Sequence, residues 1–170
     1  MAIITLNNNS LSSVTSLPAG VGGKVLQVVS SIATIETTIS SQSFADTGLS
    51  ASITPSSTSS KIFIMISQTC DISDNTDTVY GGIKLLRGTT SILEPGARNE
   101  NGPYLIGSGQ VQSLFNVIAI NYLDSPSTTS ATTYKTQGAI YAAQDQITFQ
   151  KTGANNQGKS IITLMEIAGW

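Results

Sequence analysis

The chain has 170 residues, 39% of them hydrophobic and only 11% charged, with a formal net charge of −2 and no histidine. The missing histidine removes Ser–His and Cys–His nucleophilic pairs and the commonest metal ligand, and a single cysteine, Cys70, excludes an intrachain disulfide and a structural zinc site. With eight Lys and Arg residues and no cluster of them, the chain has no phosphate-binding footprint, so nucleic acid is not an expected partner.

Residues 1–23 come first and differ in character from the rest of the chain. Asn7-Asn8-Asn9-Ser10 is polar, whereas Ile3, Ile4, Leu6, Leu11, Val14 and Leu17 are scattered apolar positions, and the segment ends in the hinge Leu17-Pro18-Ala19-Gly20-Val21-Gly22-Gly23. It lacks the basic and long apolar regions of a signal peptide. We read it as a short extended N-terminal arm whose six apolar residues serve attachment or assembly. No apolar run approaches the roughly 18–20 residues of a bilayer span, so no membrane partner is expected.

From residue 24 onward, strand signals succeed one another at short spacing. Val25–Val29 opens the series and Thr34–Ser40 is half-alternating. Leu49, Ala51 and Ile53 share a face by the period of two. The turn-rich Thr54–Ser60 leads into Ile62-Phe63-Ile64-Met65-Ile66, five apolar residues in a row that predict a strand buried on both faces. Tyr80–Arg87 and Ser91–Leu93 flank the Gly88-Thr89-Thr90 turn, and the Gly- and Pro-rich stretch 94–110 is expected to be mostly loop. Leu114–Tyr122 is a second dense apolar strand, Thr132–Ala142 alternates, and Gln146–Lys151 and Ser160–Ile167 bracket a Gly153–Gly158 hairpin turn. Eight to ten short strands without a convincing helix argue a β-sandwich or a jelly roll, between which periodicity does not choose. The expectation is all-β: a jelly-roll-like β-sandwich over 24–170 behind the arm 1–23.

The polarity of this chain sits in hydroxyls, since Ser and Thr make up about a quarter of it. Chemistry is correspondingly sparse. Asp71, Asp74 and Asp77, with Asn75, have oxygen ligands at a spacing that could hold calcium, but the glycine and the bidentate glutamate of a calcium loop are absent, so a solvated loop is the expectation. A glycoside hydrolase needs two acids facing across a cleft, and nothing in the sequence places the ten acids that way. Cys70 reads as a small buried hydrophobe at a strand end. The five tyrosines read as half-buried sheet residues, with Tyr104 in the 94–110 loop as a candidate ligand contact. Trp170, the last residue, is a candidate subunit contact because burying its indole removes a large apolar area from water. No catalytic residue, metal or cofactor is expected.

Several segments taken together carry a resemblance: Gly23–Val29, Thr47–Ile62 with its Thr54-Pro55-Ser56-Ser57-Thr58-Ser59-Ser60 run, Leu85–Thr89, Tyr122–Lys135 and the closing Ile162–Ile167. Over residues 23–167 the chain resembles virion structural proteins of marine tailed phages, specifically the terminal β modules of tail fibres and capsid-surface proteins. The resemblance implies a homotrimer in a virion, made in the host cytoplasm and bound to other virion proteins of capsid or tail. Longer relatives set such a module at the end of a fibre; with about 23 residues ahead of it here, a capsid decoration or head-fibre protein is expected. The alternative is a short tail-fibre or receptor-binding subunit that recognises a host surface glycan.

Overall fold

Large apolar residues alternate with small hydroxyl-bearing ones over most of the chain, and the alternation folds as strands. The computed structural model describes residues 24–73, 79–94, 104–107, 114–140, 146–153 and 156–169, and none of these is helical. The strands are β1 (Val25–Ala33), β2 (Thr37–Ile39), β3 (Ala45–Ile53), β4 (Lys61–Ser73), β5 (Val79–Arg87), β6 (Thr90–Leu93), β7 (Tyr104–Gly107), β8 (Leu114–Asp124), β9 (Thr132–Ile140), β10 (Gln146–Phe149), β11 (Thr152–Gly153), β12 (Asn156–Gln157) and β13 (Ser160–Ile167).

All pairings are antiparallel. The first sheet runs β1–β13–β4–β8, and β10 followed by β2 continues beside the far end of β4. The second sheet runs β3–β9–β5, with β6 against one end of β5 and β7 against the other. With the short strands β2 and β10–β12 set aside, and β6 and β7 taken as halves of one position, the principal strands fall in the spatial orders 1-8-3-6 and 2-7-4-5. That arrangement of two Greek keys is the jelly roll, so the expected all-β sandwich is the observed fold.

Between the sheets lies an aliphatic core. Ile62, Ile64 and Ile66 of β4 meet Leu49, Ile53, Ile83 and Leu85 of the opposite sheet, and each is at most 4% exposed. Burying one such side chain is worth about 1.5–3 kcal/mol. Two glycines answer to geometry. Gly48 has φ +84° where the β3–β9 register slips between Asp46 and Ser50, a bulge that a left-handed residue makes. Gly138 of β9 leaves room for the Phe149 ring, two carbons of which would lie 2.8 Å from any Cβ built there.

One end of the sandwich is closed by a single carboxylate. Period two puts Glu166 on the inward side of β13, where it is fully buried. Its Oε1 accepts from Ser56 N at 2.7 Å, Ser56 Oγ at 2.6 Å and Ser60 Oγ at 2.6 Å, and its Oε2 accepts from Gln27 Nε2 at 2.6 Å. Burial pushes this carboxyl up, but the Ser56, Ser60 and Gln27 donors prevail and hold it at about 2. The Thr54–Ser60 turn is therefore pinned to β13 by one acid.

Several local expectations are corrected. β4 is not buried on both faces: Ile62, Ile64 and Ile66 are buried, while Phe63 and Met65 are half-buried on the outer side and Ser67 is exposed, because no part of the described chain covers that side. The Thr34–Ser40 strand shrinks to Thr37–Ile39. Tyr104 is not in a loop; it lies in β7, where its backbone pairs with Gly82 of β5. Asp71 is not in a solvated loop; it lies in β4 and is buried. Cys70 is buried as expected, but inside β4 and not at its end. The arm residues Ile3, Ile4, Leu6, Leu11, Val14 and Leu17, together with Asp74, Asp77 and Trp170, lie outside the described residues.

Two measurements check the packing. Gly138→Ala forces the Phe149 ring to shift, an overpacking cost of about 1–3 kcal/mol, so thermal unfolding followed by circular dichroism should show a lower Tm; an unchanged Tm would contradict the close approach. Glu166 has a depressed folded-state value, so its contribution to stability is complete above its ordinary 4.5 and is lost as pH falls toward about 2. Chemical denaturation of Glu166→Gln at neutral pH should register a loss of about 2–3 kcal/mol. Across the window from 4.5 down to 2 the variant should lose less stability than the wild type, and parallel curves would refute the assignment.

Candidate interaction surface

Three acids are buried among the described residues, Asp71, Asp124 and Glu166, and each has protein partners; of these the sequence singles out Asp71 alone. Asp71 pairs with Lys151, which reaches it from the end of β10. Asp124, at the end of β8, accepts from Arg87 Nη1 at 2.9 and 3.0 Å and from the Tyr134 hydroxyl at 2.7 Å. Burial, then that bond to the carboxylate, pushes the Tyr134 phenol far above its ordinary value. Burial likewise raises the Cys70 thiol to about 12, which leaves it a neutral core group.

Asp124 and Glu166 share one inward row, as register partners of Ile62 on its two sides. Two strand spacings place their backbones about 10 Å apart, a separation that invites comparison with the paired carboxylates of glycoside hydrolysis. Ile62, fully buried, fills the space between them, and both acids are themselves 6% exposed or less. Asp124 thus stands buried beside the end that Glu166 closes, and both acids are taken up by protein donors. Among the described residues no three His, Cys, Asp or Glu side chains converge as metal ligands.

The outer face of the β1–β13–β4–β8 sheet is of another kind. Register puts Val28, Met165, Phe63 and Leu123 in one row across all four strands. A second row reads Ile32, Ile161, Ser67 and Ala119, and between them runs Ser30, Thr163, Met65 and Asn121. Val28 is 55% exposed, Leu123 50% and Ile32 59%, and beyond these rows β8 adds Val117 at 59% and Phe115 at 44%. Among the described residues, ions stand at the borders of this face, with Lys61, bonded to Ser125 Oγ, at one end and the Asp71–Lys151 pair at the other.

The outer face of the opposite sheet is polar. Asp46 accepts from Lys135 Nζ at 2.8 Å and Gln137 Nε2 at 2.7 Å, and the Lys135 and Gln137 donors hold its carboxyl below the usual range against the effect of burial. Ser52 and Thr133 share a hydrogen bond at 2.7 Å, and Lys84 stands 4.5 Å above the Phe44 ring. The two faces thus differ in kind on one scaffold. The signal for this is present in the sequence, because β4 carries apolar residues at consecutive positions while β3 and β9 alternate with polar ones.

No protein-family model and no curated protein matches the chain. Among solved structures it is similar to a chain in the structure of infectious bursal disease virus Gx strain, at 11% identity and a TM-score of 0.39, over 85% of this chain and 41% of that one. It is similar also to a chain of the Gt strain, at 11% identity and a TM-score of 0.34, over 84% and 38%. The chain spans about two fifths of the length of the solved chains it matches.

Proposed function

We propose that this chain is a non-enzymatic structural subunit of a virion, a homotrimeric capsid-decoration or head-fibre protein of a bacteriophage, held on the particle by its N-terminal arm, residues 1–23. The observation that carries this reading is the uncharged apolar face of the β1–β13–β4–β8 sheet, set on a jelly roll whose other face is polar. A contiguous exposed patch of that kind is a mark of a surface used for binding. The sparse ions and the abundant hydroxyls support a subunit that lives packed among others, and the buried acids Asp71, Asp124 and Glu166 support a clamped scaffold over a catalytic one. The segments that resemble phage virion proteins point to the same assembly. Apolar residues in the arm suit docking on a second protein.

The test is immunogold labelling of purified particles of the virus that encodes the chain. Labelled capsids are expected, with label lost when residues 1–22 are deleted. Particles without any copy of the chain overturn the proposal, and label confined to tail tips replaces the capsid with the tail.

A further inference from the structure

We propose that Lys151 and Asp71 are the site of an intramolecular isopeptide bond, an amide between Lys151 Nζ and the side-chain carboxyl of Asp71, with Glu36 as the carboxylate that relays a proton. The bond ties β4 to the chain just after β10. It concerns the subunit itself, so it stands or falls independently of where the subunit is assembled. A chain with a single cysteine has no internal disulfide to serve as such a staple.

The local structure places the reactants. Period two puts Asp71 on the outer side of β4 with Phe63 and Met65, yet its side chain is 1% exposed, with Phe115 of β8 and Thr148 of β10 as its register partners. Lys151 Nζ reaches Asp71 Oδ2 from just beyond β10, and the lysine side chain is 31% exposed, so the site borders water on the lysine side. A strained neighbour aims the lysine. Gln150 is fully buried and has φ +51°, a left-handed conformation uncommon outside glycine. Its backbone N donates to Thr69 O at 3.3 Å. Its side-chain Nε2 donates to Thr47 O at 3.0 Å and its Oε1 accepts from Ser160 Oγ at 2.6 Å, which fixes that conformation. Lys151 O in turn accepts from Gly158 N at 3.0 Å. Glu36 stands beside the pair. It accepts from Thr152 N at 2.7 Å and Thr152 Oγ1 at 3.0 Å, and these donors hold its carboxyl below the usual range. The charges of Lys151 and Asp71 both act on it as well, in opposite senses.

The step balances without a co-reactant. The Lys151 ammonium gives one proton to the Asp71 carboxylate across the ion pair, and the freed amine attacks the carboxyl carbon. The nitrogen of the tetrahedral intermediate then passes a second proton through Glu36 to the departing oxygen, which leaves as water. One ammonium and one carboxylate become one amide and one water. Two physical terms favour this. Groups held in contact by a fixed backbone react with effective molarities of up to about 10⁵–10⁸ M. The desolvation that a buried ion pair costs is relieved when a neutral amide replaces two charges. The exposed side of the lysine gives the released water a way out.

Intact-mass spectrometry of the full chain tests this, with far-UV circular dichroism as the control for folding. The wild type is expected one water molecule below the mass of its sequence, with Met1 present or removed. Trypsin should release a branched peptide that joins Ile62–Lys84 to Thr136–Lys159, uncut after Lys151. Lys151→Arg keeps the ion pair and removes the primary amine, so it should keep the spectrum and show the full mass of its sequence. In freshly synthesised chain, Glu36→Gln should close the bond roughly a hundredfold more slowly than the wild type. A folded wild type at full sequence mass overturns the inference, and that reading needs no variant to fold. A water loss that maps to other peptides, or one that Lys151→Arg retains, overturns it equally. Closure of Glu36→Gln at the wild-type rate strikes Glu36 from the step.

Discussion

The packing of β4 against the opposite sheet is the contact on which the rest of the fold depends. Ile62, Ile64 and Ile66 point into the core from a strand that is paired along one side by β8 over its whole inner length and along the other by β13 and then β10. No other described strand has three partners in the first sheet. Because the side-chain period is two, a slip of one residue in any of these ladders would exchange the isoleucines for Phe63 and Met65 and turn Gln27 and Glu166 outward. The core and the outer face are thus set by the same register. Neither can change without the other.

The chain has few ions, and the buried ones close the structure. Glu166 gathers Gln27, Ser56 and Ser60; Asp124 gathers Arg87 and Tyr134; Asp71 takes Lys151. Each joins segments far apart in sequence at the end or border of a sheet, where ladder hydrogen bonds run out. A buried carboxylate without donors would be costly, and here hydroxyls and amides supply most of the donors. That makes sense of a composition in which Ser and Thr are plentiful and Lys and Arg are scarce. Inside the sandwich the same economy continues, with Thr47, Thr136 and Gln68 bonded to one another at 2.6 and 2.8 Å.

What the sequence discloses, and what it hides, divides along physical lines. Alternation places Leu49, Ala51 and Ile53 on the buried face of β3, and the turn chemistry of Thr54–Ser60 places the boundary before β4. The pairing order that distinguishes a jelly roll from other sandwiches is not legible, since it depends on contacts between segments a hundred residues apart, such as β1 with β13. Ile62–Ile66 reads as doubly buried because hydrophobicity reports what a face prefers and not what covers it. Tyr104 reads as a loop residue from the glycines and prolines around it, although a short edge segment can pair between such residues. Glu166 is within reach of sequence reasoning: it is the single ionisable residue of β13, at an inward position. Nothing local identifies its donors, which come from β1 and the turn before β4.

The uncovered face also bears on how the subunit stays folded. Leaving Val28, Ile32, Val117 and Leu123 in water forgoes the stabilisation their burial would bring, a few kcal/mol in total at about 25 cal/mol per Å². A monomer gains nothing from that arrangement, and replacing these residues by Thr or Lys would have kept the strands intact. Their presence is intelligible if burial is completed on association, in which case part of the stability belongs to the assembly and rises with concentration. The same logic reaches the charge: a net −2 gives little repulsion to oppose close packing. The polar β3–β9 face, with its Asp46–Lys135 pair, is then the side left to water.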